Sequence, residues 1–293
     1  MASSPVFTLN NGLQIPAIGF GCCKHNLTAD FKQVMRDALD SGFRYLDTAS
    51  FYETERDLGA VVRESGIDRN EIQIVSKVWY EEMGYKETKE AFARSLDRMG
   101  LDYIDLYLIH WPKRSNDDAE WKENDIATWT ALEEFYEQGL VKAIGVCNFL
   151  PHHLKNIMDN CKVVPAVDQL ELHLGYTQEY ALRFCKDNGI QPQAWSPLGR
   201  FGTDIKDNPA IVRMAEKYGV SIQTLALNFL YSKGIMSIPM STNPAHMKEN
   251  QNAVSFTMDE EDVSILTGMP QIGWLGEHPD FYVPVTKHVN LNQ

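Results

Sequence analysis

The sequence predicts a closed (β/α)8 barrel. Short apolar strand candidates alternate with amphipathic helix candidates eight times along the 293 residues, and such alternation is typical of a parallel sheet. The chain is slightly longer than the ~250 residues of a typical barrel of this class. No dinucleotide-binding half-domain is evident, which favours closure over an open, doubly wound sheet. We therefore expect a single barrel domain over residues 1–293.

A small β-hairpin is predicted ahead of the barrel, over residues 7–9 and 13–15. Its turn contains Asn11-Gly12, and this pair supplies the left-handed conformation that tight hairpins need. Barrel strands are then predicted over residues 17–22, 44–47, 72–77, 104–110, 141–146, 166–171, 191–195 and 235–239.

Helices are predicted in the intervals between these strands. The first has an apolar stripe at Phe31, Val34, Met35 and Ala38. Pro151 suits the first position of another helix. One longer helical region is expected over residues 211–230, a short helix over 244–250, and a last helix that opens with a capping box at 257–260. The tail, residues 268–293, lacks periodicity and is predicted to pack over the rim as a loop.

Composition restricts the partners of the protein. The net charge of −13 argues against a nucleic-acid partner, because phosphate binding requires a basic face. Five cysteines without zinc-like spacing predict reduced thiols, and neither a signal peptide nor a membrane-spanning apolar run is evident. We expect a cytoplasmic monomer that acts on a small molecule and binds no membrane.

Ionisable side chains occur at the predicted carboxyl ends of three strands. Asp47, Lys77 and His110 end these strands, and Tyr52 follows Asp47 by five residues. Because the carboxyl ends of barrel strands share one face, we expect the four side chains to meet. Taken singly, each also fits a structural role, such as a helix cap, a surface aromatic, a solvated rim residue or a packed histidine. Their shared register favours a common site.

This set of residues suits general acid catalysis. A free tyrosine has a pKa of ~10, and a neighbouring ammonium group lowers it. In this hypothesis Asp47 positions Lys77, Lys77 acidifies Tyr52, and His110 orients a carbonyl oxygen. A donor of this kind protonates oxygen while hydride attacks carbon, provided that a nicotinamide cofactor lies alongside.

With these residues in view, the chain resembles the aldo-keto reductase family over about residues 7–290. The matching segments are residues 12–21, 47–55, 76–79, 101–112, 145–149, 169–171, 195–199 and 238–241. The pattern is most similar to microbial diketogluconate-reductase-like members. The resemblance implies a (β/α)8 barrel that binds a nicotinamide cofactor, with Asp47, Tyr52, Lys77 and His110 as the catalytic tetrad and Tyr52 as the acid.

The resemblance also implies where the cofactor binds. In chain order, the implied positions hold the carboxamide, stack on the nicotinamide ring, and contact the pyrophosphate, the 2′-phosphate and the adenine. They are Cys147, Asn148, Gln169, Trp195, Ser196, Leu198, Gly199, Met240, Ser241, Thr242, His246, Glu249 and Asn250. Met240 and His246 stand where the family typically has the lysine and arginine that bind the 2′-phosphate of NADPH. We therefore expect NADP(H) or NAD(H), with appreciable use of NADH.

Residues expected to line the substrate pocket are mostly aromatic. They are Cys23, Phe51, Trp79, Trp111 and Trp274. Aromatic walls favour aldehydes and ketones with an apolar or flat body. Cys23 replaces a family tryptophan, which enlarges the pocket, whereas ordinary rim packing is the alternative explanation for Trp79 and Trp111.

The sequence therefore predicts an NAD(P)H-dependent carbonyl reductase that also runs in reverse as an alcohol dehydrogenase. The alternative is a non-catalytic nucleotide-binding or structural protein on the same barrel, which the intact tetrad disfavours. A metal-dependent hydrolase would need a ligand cluster at the strand ends. His110 and His173 are the candidate ligands there, and they do not make up such a cluster, so we expect no metal.

Overall fold

Eight parallel strands form one sheet in the computed structural model, which describes residues 5–24 and 30–281. A two-stranded antiparallel hairpin, β1 (Val6–Thr8) and β2 (Gln14–Pro16), precedes them and confirms the predicted hairpin. The barrel strands are β3 (Phe20–Gly21), β4 (Tyr45–Asp47), β5 (Gln73–Val78), β6 (Ile104–Ile109), β7 (Val141–Cys147), β8 (Val167–Glu171), β9 (Gln191–Trp195) and β10 (Met236–Ser237). Each strand pairs with its neighbours in chain order.

The sheet closes where its first and last strands meet. Ile18 forms a parallel bridge with Ser237, and the Gly19 N–H donates to the Ser237 carbonyl at 2.8 Å. A side chain at Gly19 would bring Cβ within 2.6 Å of Tyr45 and 2.7 Å of Met236, so the seam requires glycine there. The predicted barrel is confirmed, although β3 and β10 are shorter than the sequence indicated.

Helices cover the outside of the barrel. They are α1 (Phe31–Asp40), α2 (Glu55–Glu64), α3 (Tyr85–Met99), α4 (Trp121–Glu137), α5 (Pro151–Met158), α6 (Glu179–Asp187), α7 (Thr203–Lys206), α8 (Pro209–Tyr218), α9 (Ile222–Ser232), α10 (Pro244–Asn252) and α11 (Glu260–Thr267). Each of the longer helices turns a buried apolar stripe toward the strands, so strands and helices share one core.

The helical region predicted over 211–230 is present and consists of two helices, α8 and α9. Gly219 ends α8 with a left-handed φ of 64°, a conformation that glycine adopts without strain. Ser221 then caps α9 by accepting a hydrogen bond from the Thr224 N–H. A C-cap and an N-cap two residues apart therefore interrupt the helix.

The last helix begins two residues later than predicted. Asp259, in extended conformation, is the N-cap of α11, so the capping box at residues 257–260 is not formed as expected. The Asp259 N–H donates to the Tyr218 hydroxyl at 2.8 Å. That hydroxyl also donates to Asp262 in the first turn of α11, which fixes the start of the helix. Residues 282–293 of the predicted rim loop lie outside the described residues.

The hairpin blocks one end of the barrel. Leu9 and Ile15 are buried in the same cluster as the inward-facing barrel residues. Asn10 donates to the carbonyl of Pro165, just before β8, and Asn11 donates to the carbonyl of Lys142, at the start of β7. The amino-terminal end of the barrel is thus closed, which leaves the carboxyl ends of the strands as the open face. No helix within the described ranges is both long and apolar enough to cross a bilayer.

Candidate active site

A buried ion pair lies at the carboxyl ends of β4 and β5. Lys77 is fully buried, and its Nζ lies 2.5 Å from Asp47 Oδ1 and 3.0 Å from the Thr48 carbonyl oxygen. Asp47 is only 4% exposed, and its second oxygen accepts from Gln169 Nε2 at 2.8 Å. Because an isolated buried ammonium would be very costly, these bonds offset the cost of burying Lys77 and fix its position.

Tyr52 lies above this pair on a single 3-10 turn, Ser50–Tyr52, that follows β4. Lys77 Nζ is 5.1 Å from the centroid of the Tyr52 ring. The Tyr52 hydroxyl is 3.4 Å from His110 Nε2, and the two rings are nearly perpendicular. The four residues predicted to meet therefore do so, at the ends of β4, β5 and β6.

The expected lowering of the Tyr52 pKa by Lys77 is wrong for this structure. Burial raises the pKa of Tyr52 well above 10, and the neighbouring Cys23 and Asp47 raise it further. Burial and the charge of Lys77 lower the pKa of His110 well below 6.5. The Lys77 charge is directed at Asp47, so burial dominates at the phenol. Both groups are uncharged at neutral pH.

Two buried polar atoms near His110 have no hydrogen-bond partner among the described residues. They are His110 Nδ1 and the indole Nε1 of Trp79. Trp79 packs between His110, with ring centroids 4.9 Å apart, and Phe51, with ring centroids 3.9 Å apart. An orphaned buried donor costs free energy, and a ligand oxygen at the barrel mouth would recover it.

The predicted carboxamide-holding residues form one hydrogen-bonded chain at the ends of β7, β8 and β9. Asn148 Nδ2 donates to the His110 carbonyl at 3.0 Å and contacts Cys147 Sγ at 3.2 Å. Its Oδ1 accepts from Trp195 Nε1 at 2.8 Å. Cys147 Sγ lies 3.7 Å from Gln169 Oε1. Asn148 has a φ of 63°, a left-handed conformation that asparagine tolerates better than most residues.

The backbone beyond β9 forms a tight turn with several left-handed residues. Ser196, Gly199, Arg200 and Phe201 all have φ between 45° and 56°. The N–H groups of Gly199 and Phe201 donate within this turn, to the carbonyls of Ser196 and Leu198, each at 2.8 Å. A side chain at Gly199 would place Cβ 2.3 Å from Ile205 Cδ1, so the position is restricted to glycine. Leu198, between Ser196 and Gly199, packs against the core.

The remaining predicted cofactor positions lie just before α10 or on it. Met240 is half-buried and packs against the core, Thr242 and His246 are exposed, and Ser241 Oγ accepts from the Asn243 N–H. Glu249 Oε1 accepts from Ser221 and Thr224 at the start of α9. Asn250 is 5% exposed. The flat indole of Trp195 and the N-terminus of α10 fit the ring and the phosphate groups of a nicotinamide dinucleotide.

The predicted substrate residues divide into two groups. Cys23, Phe51 and Trp79 lie around Tyr52 and His110, and Trp111 is buried directly after His110. Trp274 lies farther around the rim, is 46% exposed, and stacks with Tyr176 at a centroid distance of 6.4 Å. It lines a groove with Leu150 and Tyr180 on the β8 side of the mouth.

Several supporting residues were missed from the sequence. Gln193 Nε2 donates to the Tyr45 hydroxyl at 2.7 Å, while Gln193 Oε1 lies 3.2 Å from Gln169 Nε2. Behind Lys77, Ser76 donates to buried Glu55, which also pairs with Arg98. Because alternate side chains of β9 point into the barrel, the sequence pattern could have indicated that Gln193 faces inward. The Glu55 contacts depend on tertiary packing and leave no local pattern.

One group of side chains in the described part of the chain is close enough to share a cation. His152 Nε2 and His153 Nε2 each lie 3.1 Å from Asp280 Oδ1. However, His153 Nδ1 accepts a hydrogen bond from the Leu150 N–H, so the ring proton of neutral His153 is on Nε2. That nitrogen carries a proton and is not available as a metal ligand, and it makes no hydrogen bond with Asp280 despite the short distance. The hydrogen bond between His152 Nε2 and Asp280 Oδ1, at 3.1 Å, fastens Asp280 to the start of α5.

Comparison with known proteins gives a consistent result. The family model described as "Aldo/keto reductase family" matches residues 17–269. A 9,11-endoperoxide prostaglandin H2 reductase of Trypanosoma cruzi is 38% identical over 279 residues, which are 94% of this chain and 95% of that protein. A glyoxal reductase of Bacillus subtilis is 36% identical over 272 residues, covering 93% and 95% of the two chains.

Solved structures of aldo-keto reductases are also similar to this chain. An aldo-keto reductase from a Medee basin deep-sea metagenome superposes with a TM-score of 0.88 at 36% identity, covering 94% of this chain and 99% of that one. A Bombyx mori aldo-keto reductase in complex with NADP gives a TM-score of 0.83 at 28% identity, covering 91% and 92%.

Proposed function

The chain belongs to the aldo/keto reductase family and is an NAD(P)H-dependent carbonyl reductase, and from that premise we propose that Asp47, Tyr52, Lys77 and His110 are its catalytic residues. The observation that carries the proposal is the 3.4 Å approach of the Tyr52 hydroxyl to His110 Nε2 above the buried Lys77–Asp47 pair. A carbonyl oxygen seated between the hydroxyl and the imidazole would meet one proton donor and one orienting group.

The bound nicotinamide would supply the hydride, and the protein residues manage the proton. Tyr52 is protonated at neutral pH because burial raises its pKa. Addition of hydride converts the carbonyl oxygen to an alkoxide, which is a stronger base than a phenolate, so the phenol proton transfers downhill. The resulting phenolate faces the Lys77 ammonium, 5.1 Å from the ring centroid, which stabilises the negative charge.

His110 acts as a neutral orienting group in this proposal. Its lowered pKa leaves it uncharged, so it binds a carbonyl oxygen by hydrogen bonding and does not compete with Tyr52 as the acid. The indole N–H of Trp79, which lacks a partner among the described side chains, is a second donor for a substrate oxygen. Phe51 and Trp79 provide a flat apolar wall beside it.

Replacement of the acid tests the assignment. Tyr52→Phe should reduce kcat for 4-nitrobenzaldehyde by about 10²–10⁴, the range of general acid catalysis. Binding of NADPH or NADH should be retained, since Tyr52 is assigned no cofactor contact. The quenching of tryptophan fluorescence measures this binding. Tyr180→Phe, a change at a tyrosine that is 76% exposed, is the matched control. Turnover of Tyr52→Phe within threefold of the parent enzyme would remove Tyr52 from this role.

We further propose that NADH serves as a cofactor alongside NADPH. Met240 offers an uncharged thioether, and an imidazole at His246 cannot make the forked contact that arginine makes with a phosphate. The N-terminus of α10 and Ser241 remain as neutral donors, and these serve a ribose hydroxyl as well as a phosphate. Steady-state kinetics with each cofactor test this, and a kcat/KM at least 100-fold higher with NADPH would contradict it.

A monomer in the cytoplasm is also proposed. Support for the compartment comes from the five cysteines, which form no disulfide within the described residues, and of which Cys22, Cys147 and Cys185 are buried. Size-exclusion chromatography with light scattering would test the monomer, and cell fractionation the compartment.

A further inference from the structure

The loop between β4 and α2 is joined across its base by two buried hydroxyl groups. We call residues 48–54 the β4–α2 loop. Thr48 begins this loop and Thr54 ends it, both are fully buried, and their Oγ1 atoms lie 2.7 Å apart. Thr54 Oγ1 also donates to the Cys22 carbonyl at 2.8 Å. Because a hydroxyl has one proton and that of Thr54 goes to Cys22, Thr48 is the donor between the two hydroxyls.

This chain of hydrogen bonds leads to the buried ion pair of the site. The Thr48 carbonyl accepts from Lys77 Nζ at 3.0 Å, and the Cys22 N–H donates to the Asp47 carbonyl at 2.7 Å. Cys22 directly follows β3, and Asp47 ends β4. Thr54 therefore fastens the far end of the β4–α2 loop to the ends of two strands and to the residue that binds the ammonium group of Lys77.

The conformation of the β4–α2 loop makes this fastening necessary. Tyr52 ends the 3-10 turn, and the next residue, Glu53, has a left-handed φ of 58°, which is costly for a residue with a side chain. Thr54 follows directly, so its hydrogen bonds hold the strained residue in place. The first half of the loop is held separately, by donation from Ser50 Oγ to Glu82 Oε2 at 2.8 Å. Loss of the Thr54 hydroxyl would therefore release the second half, which carries the phenol.

We propose that Thr54 is a positioning residue, whose hydroxyl group holds the Tyr52 phenol in register with Lys77 and His110. The inference rests on the proposed function and deepens it by naming a further residue on which proton transfer depends. Thr54 acts through Tyr52, whose ring centroid is 5.1 Å from Lys77 Nζ and whose hydroxyl is 3.4 Å from His110 Nε2. Misplacement of a reacting group by about 1 Å can slow a reaction about 100-fold, so a small shift of this loop matters.

Thr54→Val tests the inference, because valine keeps the branched shape and lacks the hydroxyl. The measured quantity is the single-turnover rate of 4-nitrobenzaldehyde reduction with saturating NADPH or NADH, which reports the chemical step. We expect this rate to fall about 10- to 100-fold, while the dissociation constant of the cofactor stays within about threefold of the parent value. Thr54→Ser keeps the hydroxyl and should keep the rate. A parent-like rate in Thr54→Val would overturn the inference.

The same change in the Tyr52→Phe background separates positioning from general damage to the fold. If Thr54 acts through the Tyr52 hydroxyl, Thr54→Val adds less than about threefold to the loss in Tyr52→Phe, since the two residues act as one unit. A second loss of full size would mean that Thr54 acts on folding or on another group, and the inference would be wrong. Thr48→Val removes the same contact between hydroxyls, should show the same pattern, and decides the question if Thr54→Val does not fold.

Thr128→Val is the matched control. Thr128 is also fully buried, and its hydroxyl accepts from the Gly84 N–H at 2.8 Å, so the variant loses a comparable hydrogen bond, here between α4 and the start of α3. It should keep the single-turnover rate of the parent, and an equal loss in this control would refute a specific role for Thr54. A parent-like rate in Tyr52→Phe would defeat the proposed function itself, whereas a slow Tyr52→Phe beside a fast Thr54→Val would defeat the inference alone.

Discussion

Tyr52 and His110 face each other with the hydroxyl oxygen 3.4 Å from Nε2 and an angle of 84° between the rings. Burial acts on the two groups in opposite directions, raising the pKa of the phenol and lowering that of the imidazole, so that neither carries a charge at neutral pH. Two uncharged groups, each able to donate a hydrogen bond, keep the site ready for an uncharged carbonyl oxygen. Burial is the largest cause of both shifts, and the charge of Lys77 adds to the lowering of the His110 pKa.

The pH dependence of reduction follows from that pair. Tyr52 must be protonated, and its raised pKa moves the alkaline loss of activity above pH 10. His110 must be neutral, and its lowered pKa moves the acidic loss below pH 6.5. We expect kcat/KM for 4-nitrobenzaldehyde to be level from about pH 7 to about pH 9.5, as measured in buffers of constant ionic strength. An inflection inside that window, absent from a substrate-only titration, would contradict the assignment.

The buried pair of Asp47 and Lys77 is expected to support stability as well as activity. Asp47→Asn leaves the fully buried Lys77 ammonium without its partner, which should lower the free energy of unfolding by about 3–5 kcal/mol. Guanidinium denaturation measures the change. Glu90→Gln, which breaks the exposed pair with Lys86, should cost less than about 1 kcal/mol. Equal losses in the two variants would mean that burial does not matter at Lys77.

Cofactor preference should respond to charge at the α10 N-terminus. Met240→Lys combined with His246→Arg supplies two cations for a 2′-phosphate, and each charge-assisted bond stabilises by about 1.5–3 kcal/mol. The ratio of kcat/KM for NADPH over NADH should rise by about tenfold or more. Met240→Leu combined with His246→Gln changes the same positions without adding charge and is the control. A rise of equal size in the control would refute the phosphate interpretation.

His153 links stability to pH. Burial, with a contribution from His152, lowers the pKa of His153 to about 3, whereas an unfolded histidine titrates near 6.5. Because the folded pKa is depressed, the contribution of neutral His153 is present above pH 6.5 and is lost as the pH falls toward 3. His153→Phe removes the titrating group, so the difference in unfolding free energy between parent and variant should shrink by up to about 1.4 kcal/mol per pH unit below pH 6.5.

Urea denaturation at pH 7.5, 6.0 and 5.0 measures this difference. His246→Phe, at an exposed position on α10, is the control and should show the pH dependence of the parent. A constant difference between the parent and His153→Phe across the three pH values would rule out the linkage.

Much of the fold was readable because local signals and tertiary structure agree. Asn11-Gly12 predicts the hairpin turn, and ionisable residues at the ends of three predicted strands mark the open face. The break between α8 and α9 was not predicted, because the apolar spacing continues in phase across Gly219 and Ser221. Each of these two residues is nevertheless a recognisable helix cap. Periodicity alone does not distinguish one long helix from two short ones that pack on the same sheet.

The site was predictable in position but not in electrostatics. Strand register brings Asp47, Lys77 and His110 to one face, so their spacing in the sequence was sufficient. The pKa of Tyr52 was not predictable from the sequence, because it depends on how fully the protein encloses the phenol. The contact between Glu277 and Arg200 escaped prediction for a related reason, because its partners lie 77 residues apart in the sequence.

The seam of the barrel constrains how the molecule is made. The bridge between Ile18 and Ser237 joins the first and last strands of the sheet, so a nascent chain on the ribosome cannot complete the cylinder until nearly all of it has been translated. Until then the partial sheet presents two unpaired edges, which are potential sites of aggregation. Closure between such distant segments is also entropically slow. Assembly of this enzyme is therefore expected to depend more on late, long-range closure than on the early formation of its individual β/α units.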